Sequence, residues 1–233
     1  MNLANNLEAI EERIARACMR SGRKREEITL MAVSKFQPIE AVIQAWEAGL
    51  RYFGESRVQE AAAKYDGFWD SHEGECHLIG SLQRNKVKLA ASLFDCIQSA
   101  DREALVLELL RNTAGRTRPL PLLLEFLTGE DSKSGFTSID DLFRTVELIL
   151  VYPSLSIRGL MTIAPNTREE AVLRSAFRQV VKLRQELERR FPSESCACAW
   201  SCLSMGMSGD YELAVEEGST LLRIGSAIFG ERM

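Results

Sequence analysis

The sequence has little of what marks metal-binding or disulfide-stabilised proteins. It contains two histidines and six cysteines among 233 residues, and no two cysteines have the C-x2-C spacing of a zinc site. Cys196, Cys198 and Cys202 lie close together in sequence, but we expect buried thiols rather than metal ligands. Six cysteines do not make a disulfide framework in a chain of this length, which indicates a reducing compartment.

Long apolar runs and a strong charge imbalance are also missing. No stretch approaches the ~18 consecutive apolar residues that a membrane span needs. The net charge of -4, with basic residues scattered along the chain, gives no reason to expect a nucleic-acid partner. The opening residues form an amphipathic helical pattern rather than a signal peptide. We therefore expect a cytoplasmic protein without a membrane segment.

After the opening pattern, which falls within residues 1–24, short apolar runs alternate with amphipathic helical patterns. The eight candidate strands are Ile28–Ser34, Arg51–Gly54, Cys76–Gly80, Leu93–Ser99, Pro121–Leu127, Ser156–Ile163, Ala199–Met205 and Thr220–Gly225. This count predicts an α/β fold: a single-domain (β/α)8 TIM barrel over residues 1–233, with an extra N-terminal helix packed on it. An open doubly wound sheet is the alternative, although no Gly-x-Gly-x-x-Gly follows the first strand, as a dinucleotide-binding version would require.

The first strand leads to a candidate nucleophile. The run Ile28–Ser34 is uncharged and mostly apolar or β-branched, which is typical of a strand buried on both faces, and Lys35 follows at its end. Partial burial disfavours the ammonium form of a lysine, and the neutral amine forms Schiff bases with carbonyl compounds. On this stretch alone, a lysine that extends into solvent is the alternative.

The loops after strands seven and eight have the composition of an anion site. In barrels of this kind these loops frequently bind phosphate. Ser204, Ser208, Gly225 and Ser226 supply hydroxyl groups and accessible backbone N–H groups, although the glycines could simply form turns. Strands one and eight are neighbours in a closed barrel. An amine nucleophile beside a phosphate site favours a phosphorylated carbonyl compound, and pyridoxal 5′-phosphate (PLP) is the obvious one.

Other residues at strand ends could contact such a ligand. Arg223 could face the pyridine nitrogen, where a cation discourages protonation and makes the ring a poorer electron sink, or it could form a structural ion pair. His77 could contact the cofactor or be a hydrogen-bonded packing residue, and Met161 fits a pocket wall. Lys86 and Lys133 lie near the predicted barrel mouth, where a second, transient attachment of the cofactor is a speculative use.

Seven motifs occur in order along nearly the whole chain. They are Val33–Lys35, Phe53–Glu60, His77–Lys86, Lys133–Gly135, Gly159–Met161, Leu203–Asp210 and Arg223–Gly230. Together they resemble the motifs of the pyridoxal phosphate homeostasis proteins, also called proline synthetase co-transcribed proteins. The resemblance implies a barrel similar to the N-terminal domain of alanine racemase and of eukaryotic ornithine decarboxylase. It also implies that Lys35 holds PLP as an internal aldimine.

The resemblance assigns further roles, and some positions depart from the family pattern. Arg223 corresponds to the arginine that faces the pyridine nitrogen. Ser56 stands where the family usually has asparagine, and Glu125 stands where many members have an asparagine-containing run. A buried Glu125 would need a partner. From the strand ends and the resemblance together, we expect nine cofactor contacts: Lys35, Ser56, His77, Met161, Ser204, Met205, Arg223, Gly225 and Ser226.

The function implied by the resemblance is PLP binding without catalytic turnover, in vitamin B6 and amino-acid homeostasis. We expect a monomer whose partners are PLP and, as recipients, PLP-dependent apoenzymes. A PLP-dependent amino-acid racemase or decarboxylase on the same barrel is the alternative. Racemases take a tyrosine from a separate C-terminal domain, and this sequence ends at Met233, shortly after strand eight, so we expect that group to be missing. A phosphate-binding barrel enzyme without PLP is a third hypothesis.

Overall fold

Eight parallel strands close into a barrel in the computed structural model, which describes residues 3–129, 134–193 and 198–230. The strands are β1 (Thr29–Val33), β2 (Tyr52–Glu55), β3 (Glu75–Leu78), β4 (Cys96–Ala100), β5 (Leu120–Glu125), β6 (Leu155–Met161), β7 (Cys198–Ser204) and β8 (Leu221–Ile224). Each pairs with its neighbours in the chain, and β8 pairs with β1. The predicted (β/α)8 barrel is confirmed, and the predicted strand ends differ from these by one to three residues.

Helices separate the strands and cover the barrel. They are α1 (Leu3–Ser21), α2 (Ile39–Glu47), α3 (Val58–Lys64), α4 (Val87–Leu93), α5 (Glu103–Thr113), α6 (Ile139–Leu150), α7 (Glu170–Arg190), α8 (Tyr211–Glu216) and α9 (Ser226–Phe229). Ser138 caps α6 as a serine at that position should, because its hydroxyl accepts a hydrogen bond from the Asp141 N–H. Within the three described ranges, no helix is both long and apolar enough to cross a membrane.

Helix α1 precedes the first strand and packs on helices α8 and α9. Its apolar stripe, Leu7, Ile10 and Ile14, is buried in the main hydrophobic core. On its polar side, Arg20 Nε pairs with the Glu216 carboxylate of α8 at 2.5 Å. The extra N-terminal helix expected from the opening pattern is therefore present, and it rests on the helix that precedes β8.

The barrel interior is more polar than its outer layer. Alternation along each strand points one set of side chains toward the helices and the other set inward. The helix-facing set joins the main core and includes Leu78, Ile97, Leu203 and Leu222. The inward set includes buried polar side chains that are hydrogen-bonded to one another: His77, Gln98, Ser204 and Arg223.

Candidate functional site

A cavity of ≈ 450 Å³ opens at the carboxyl ends of the strands. Its walls come from both ends of the sequence, which the closure of β8 on β1 brings together. The residues that line it are Val33, Lys35, Gln37, Ser56, Ile79, Gly80, Ile163, Met207, Ser208, Gly209, Arg223, Gly225, Ser226 and Gly230. A primary amine, a buried guanidinium and a glycine–serine loop therefore share one cavity, as the sequence predicts.

A tight turn after β1 presents Lys35 to this cavity. The Gln37 N–H donates to the Ser34 carbonyl at 2.9 Å, which closes a four-residue turn with Lys35 second. Phe36, third in the turn, has a φ of 63°, a left-handed conformation that a bulky residue adopts only at a cost of about 1–3 kcal/mol. The Glu60 carboxylate accepts the Phe36 N–H at 2.5 Å and helps to hold this conformation.

A buried ion-pair cluster supports that turn from below. The Lys64 ammonium donates to the Ser34 carbonyl at 2.7 Å and to the Glu55 carboxylate at 2.9 Å. The Ser34 hydroxyl donates to the same carboxylate oxygen at 2.8 Å and contacts the Tyr65 hydroxyl. Burial raises the pKa of Glu55, and the ammonium of Lys64 opposes that rise. Since two groups of the cluster bind Ser34, the position of Lys35 depends on charges that never reach the cavity.

Arg223 lines the cavity and is buried. Its guanidinium donates to the Ser204 carbonyl and hydroxyl, both at 2.7 Å, and to the Thr162 carbonyl at 2.8 Å. In the described part of the chain it has no salt-bridge partner. Burial therefore lowers its pKa to about 10, which leaves it cationic at neutral pH. A fixed, water-poor cation of this kind binds an acceptor atom on a ligand.

The loops after β7 and β8 form the side of the cavity next to Lys35. A Cβ added at Gly225 would meet the Val33 carbonyl oxygen at 3.2 Å, so glycine lets this loop lie against the end of β1. The Ala227 N–H donates to the Ser208 hydroxyl at 3.4 Å, which ties the two loops together. Ser226 is exposed in the cavity. Small residues and hydroxyl groups here leave room for an anionic group beside the amine.

Four of the nine expected cofactor contacts do not line the cavity. His77 and Ser204 are buried inside the barrel and bonded to Gln98. Met161 packs against Cys96 and Leu123 within the barrel. The side chain of Met205 is fully buried in the main core. His77, Met161 and Ser204 point into the barrel interior, and Met205 points toward the helices. We propose supporting roles for these four residues.

The cavity also contains residues that the sequence reading did not single out. Gln37 belongs to the Lys35 turn, and Ile79 follows β3 in the same inward alternation as His77. Side chains alternate along a strand, so Ile79 points inward like Glu75 and His77. The predicted strand ended at Gly80, and Ile79 was therefore not recognised as an inward residue at the strand end. Gly80 is needed because a Cβ there would lie 2.3 Å from the Ser56 carbonyl oxygen. That close approach brings Ser56 into the wall.

Among the described residues, the side-chain partner of the buried Glu125 is the Ser134 hydroxyl, which lies 3.1 and 3.2 Å from its two oxygens. Burial raises the pKa of Glu125 to about 7, because one neutral donor does not replace the lost water. The hypotheses on Lys133 and Cys196 fall on residues outside the described ranges. Within those ranges, no group of three or more His, Cys, Asp and Glu side chains is arranged to hold a metal ion.

Comparison with known proteins identifies the class first. The family model described as "Alanine racemase, N-terminal domain" matches residues 5–233. Alanine racemase from E. faecalis has the same fold, with a TM-score of 0.71 and 16% identity over 96% of this chain and 58% of that one. At this identity the likeness concerns the fold alone.

Much nearer relatives place the chain within that class. A pyridoxal phosphate homeostasis protein of Vibrio cholerae is 42% identical over 99% of this chain and 97% of its own length. One from Escherichia coli K12 is 37% identical, with coverage of 99% and 97%. The structure of PipY from Synechococcus elongatus with PLP bound has a TM-score of 0.83 and 35% identity, covering 98% of this chain and all of that one. The chain belongs to the pyridoxal phosphate homeostasis protein family.

Proposed function

We propose that this protein binds PLP in the cavity at the carboxyl ends of its strands and holds it covalently on Lys35. The observation that carries the proposal is the shared cavity of Lys35 and Arg223. In the covalent step the lysine amine condenses with the cofactor's aldehyde, a C=N bond forms and water leaves. PipY, a relative with 35% identity, was solved with PLP bound, which supports the same ligand here.

Arg223 and the β8 loop would fix the other two ends of the ligand. The guanidinium is already held by three oxygen acceptors, so it can donate to the ring nitrogen without rearranging. A donor that remains cationic disfavours protonation of that nitrogen, and the ring withdraws electrons less strongly. Gly225, Ser226 and Ser208 would receive the phosphate, and Ser56 would lie against the ring.

We propose a carrier rather than an enzyme, acting in vitamin B6 and amino-acid homeostasis. Two-base racemisation needs a second acid or base across the ligand from the lysine. All four tyrosines lie in the described ranges and none lines the cavity: Tyr65 and Tyr211 are buried, Tyr152 is exposed after α6, and Tyr52 begins β2. The proposed recipients of the cofactor are PLP-dependent apoenzymes. We also propose that this protein is a cytoplasmic monomer.

A transfer assay separates the carrier from the alternatives. The PLP-loaded protein, freed of unbound cofactor, would be mixed with a PLP-dependent apoenzyme, and recovery of that enzyme's activity would be followed. Borohydride-reduced protein is the matched control, because its cofactor cannot leave. If the protein is a carrier, the apoenzyme should regain activity with the PLP-loaded form and not with the reduced form. The protein itself should show no racemase or decarboxylase turnover. Turnover of an amino acid would favour the racemase or decarboxylase, and no recovery would contradict delivery.

A further inference from the structure

A second cavity opens at the other end of the barrel. Its volume is ≈ 720 Å³, and its walls include the first residues of four strands: Thr29, Tyr52, Cys96 and Leu221. It therefore lies at the amino-terminal end, opposite the cavity that Lys35 lines. We call it the basal cavity. Three arginines reach it: Arg23, Arg158 and Arg184.

Two of these arginines are already neutralised. Arg23 pairs with Glu27 at 3.0 Å and also donates to two backbone carbonyls. Arg158 pairs with Glu75 at 3.1 Å. Arg184 differs: among the described residues it has no ion-pair partner, and its buried Nε has no hydrogen-bond partner. A buried donor left unpaired is unusual in proteins and points to an acceptor that binds there.

The thiols of the cavity do not supply the missing negative charge, and the Glu27 carboxylate, which also lines it, is already paired with Arg23. Cys96 and Cys202 both line it, and burial is the main cause that raises the pKa of each thiol, to about 11 for Cys202. Both remain neutral at physiological pH. Among the described residues, the basal cavity thus carries one positive charge without an ion-pair partner, on Arg184, and the partly exposed guanidinium of Arg158 lines the same cavity.

A continuous chain of hydrogen bonds joins this cavity to Arg223. Arg223 donates to the Ser204 hydroxyl at 2.7 Å, and that hydroxyl donates to the Gln98 carbonyl oxygen at 2.6 Å. The Gln98 amide lies 2.8 Å from His77 Nδ1, and His77 Nε2 lies 2.8 Å from the Glu75 carboxylate. Because a guanidinium only donates and a carboxylate only accepts, every donor must point from Arg223 toward Glu75. His77 therefore carries its proton on Nε2.

We propose that the basal cavity is a second binding site, for a small molecule bearing a carboxylate or phosphate group, and that its occupancy is transmitted to Arg223. The anion would bind between Arg184 and Arg158 and compete with Glu75 for Arg158. A carboxylate less engaged with Arg158 is a stronger acceptor for His77 Nε2–H, and the change passes through Gln98 and Ser204. Binding of the anion in the basal cavity does not depend on the proposed function, whereas transmission to Arg223 rests on it.

The test of binding uses the ligand-free protein. The chain has only two histidines, so imidazole NMR reports on His77 and, as an internal control, on His72. We would titrate with succinate and, separately, with inorganic phosphate, each against sodium chloride at matched ionic strength and pH. Binding predicts a saturable shift of the His77 signals with His72 unchanged, and the two probes distinguish a carboxylate ligand from a phosphate ligand.

Two substitutions on α7 make the test specific. Arg184→Gln should abolish the saturable shift, whereas Arg189→Gln, at an exposed position of the same helix, should leave it intact. Absence of a saturable shift, or a shift that survives Arg184→Gln, would overturn the proposal. The second result would show that the anion binds outside the basal cavity, for example in the cavity that Lys35 lines.

Transmission is measured by the dissociation constant for PLP with and without the effective anion. We expect a change of about fivefold or more in the wild-type protein and in Arg189→Gln, and none in Arg184→Gln. An anion that shifts His77 but leaves PLP affinity unchanged would overturn transmission while binding stands. A protein that takes up no PLP at all would refute the proposed function, and the NMR result would still decide the basal site.

Discussion

Arg223 Nη1 donates to both the backbone carbonyl and the hydroxyl of Ser204, each at 2.7 Å. The same hydroxyl donates to Gln98, so the guanidinium is oriented from inside the barrel rather than by contacts in the cavity. A ligand that enters the cavity meets a cation already in place, and little binding energy is lost in ordering it.

Ser204→Ala tests this arrangement. The substitution leaves the carbonyl contact to Arg223 but removes the donor to the buried Gln98 oxygen. We expect unfolding free energy to fall by about 1–2 kcal/mol and PLP affinity to fall by roughly threefold to tenfold. Urea unfolding and a PLP titration measure these effects. Ser92→Ala, which removes an exposed hydroxyl on α4, is the control and should change neither quantity. Equal effects in the two variants would contradict the role of Ser204.

Lys64→Met tests the cluster below the Lys35 turn. The change leaves the Glu55 carboxylate buried without its cation and removes a donor to the Ser34 carbonyl. We expect a loss of about 3–5 kcal/mol in the free energy of unfolding, because an unpaired buried charge is costly. Chemical denaturation of Lys64→Met beside Lys88→Met, an exposed lysine on α4, measures it. A loss no greater than that of Lys88→Met would show that the pair is not needed.

Glu125 should make stability depend on pH. Its pKa is raised from 4.5 to about 7 in the folded protein, so between these values the folded state binds more protons than the unfolded state. The stabilisation is fully present below about pH 4.5 and is lost as the pH rises through about 7, amounting at most to about 3 kcal/mol. Denaturation across this range should show a shallower pH dependence in Glu125→Gln, with the exposed Glu169→Gln unchanged from wild type. Parallel plots of unfolding free energy against pH for all three proteins would contradict this contribution of Glu125.

The sequence was sufficient for the fold because each barrel strand is a short apolar run followed by a helical pattern. Even the short strand Tyr52–Glu55 could be located this way. Residues at the very ends of strands, such as Lys35 and Gly225, were also predictable, since their place in the cavity follows from topology. His77 and Met205 were not, because depth within a barrel depends on register, and an error of one or two residues moves a side chain to another layer or face.

Contacts between distant segments could not be predicted from the sequence, for a related reason. Nothing in the pattern pairs Glu55 with Lys64 beneath the Lys35 turn, or Ser134 with Glu125. These partners are chosen by packing of the closed barrel, in which buried polar groups take whichever donors lie near. The left-handed Phe36 is a similar case, since local preference alone argues against it.

The most direct test of the account is the visible absorption spectrum of the purified protein on addition of PLP. We would compare the wild type with Lys35→Ala and with Lys86→Ala, a control that removes another lysine near the barrel mouth. The account predicts a yellow Schiff-base band that saturates in the wild type and in Lys86→Ala and is absent in Lys35→Ala. An undiminished band in Lys35→Ala, or no band in the wild type with excess PLP, would contradict covalent binding at Lys35.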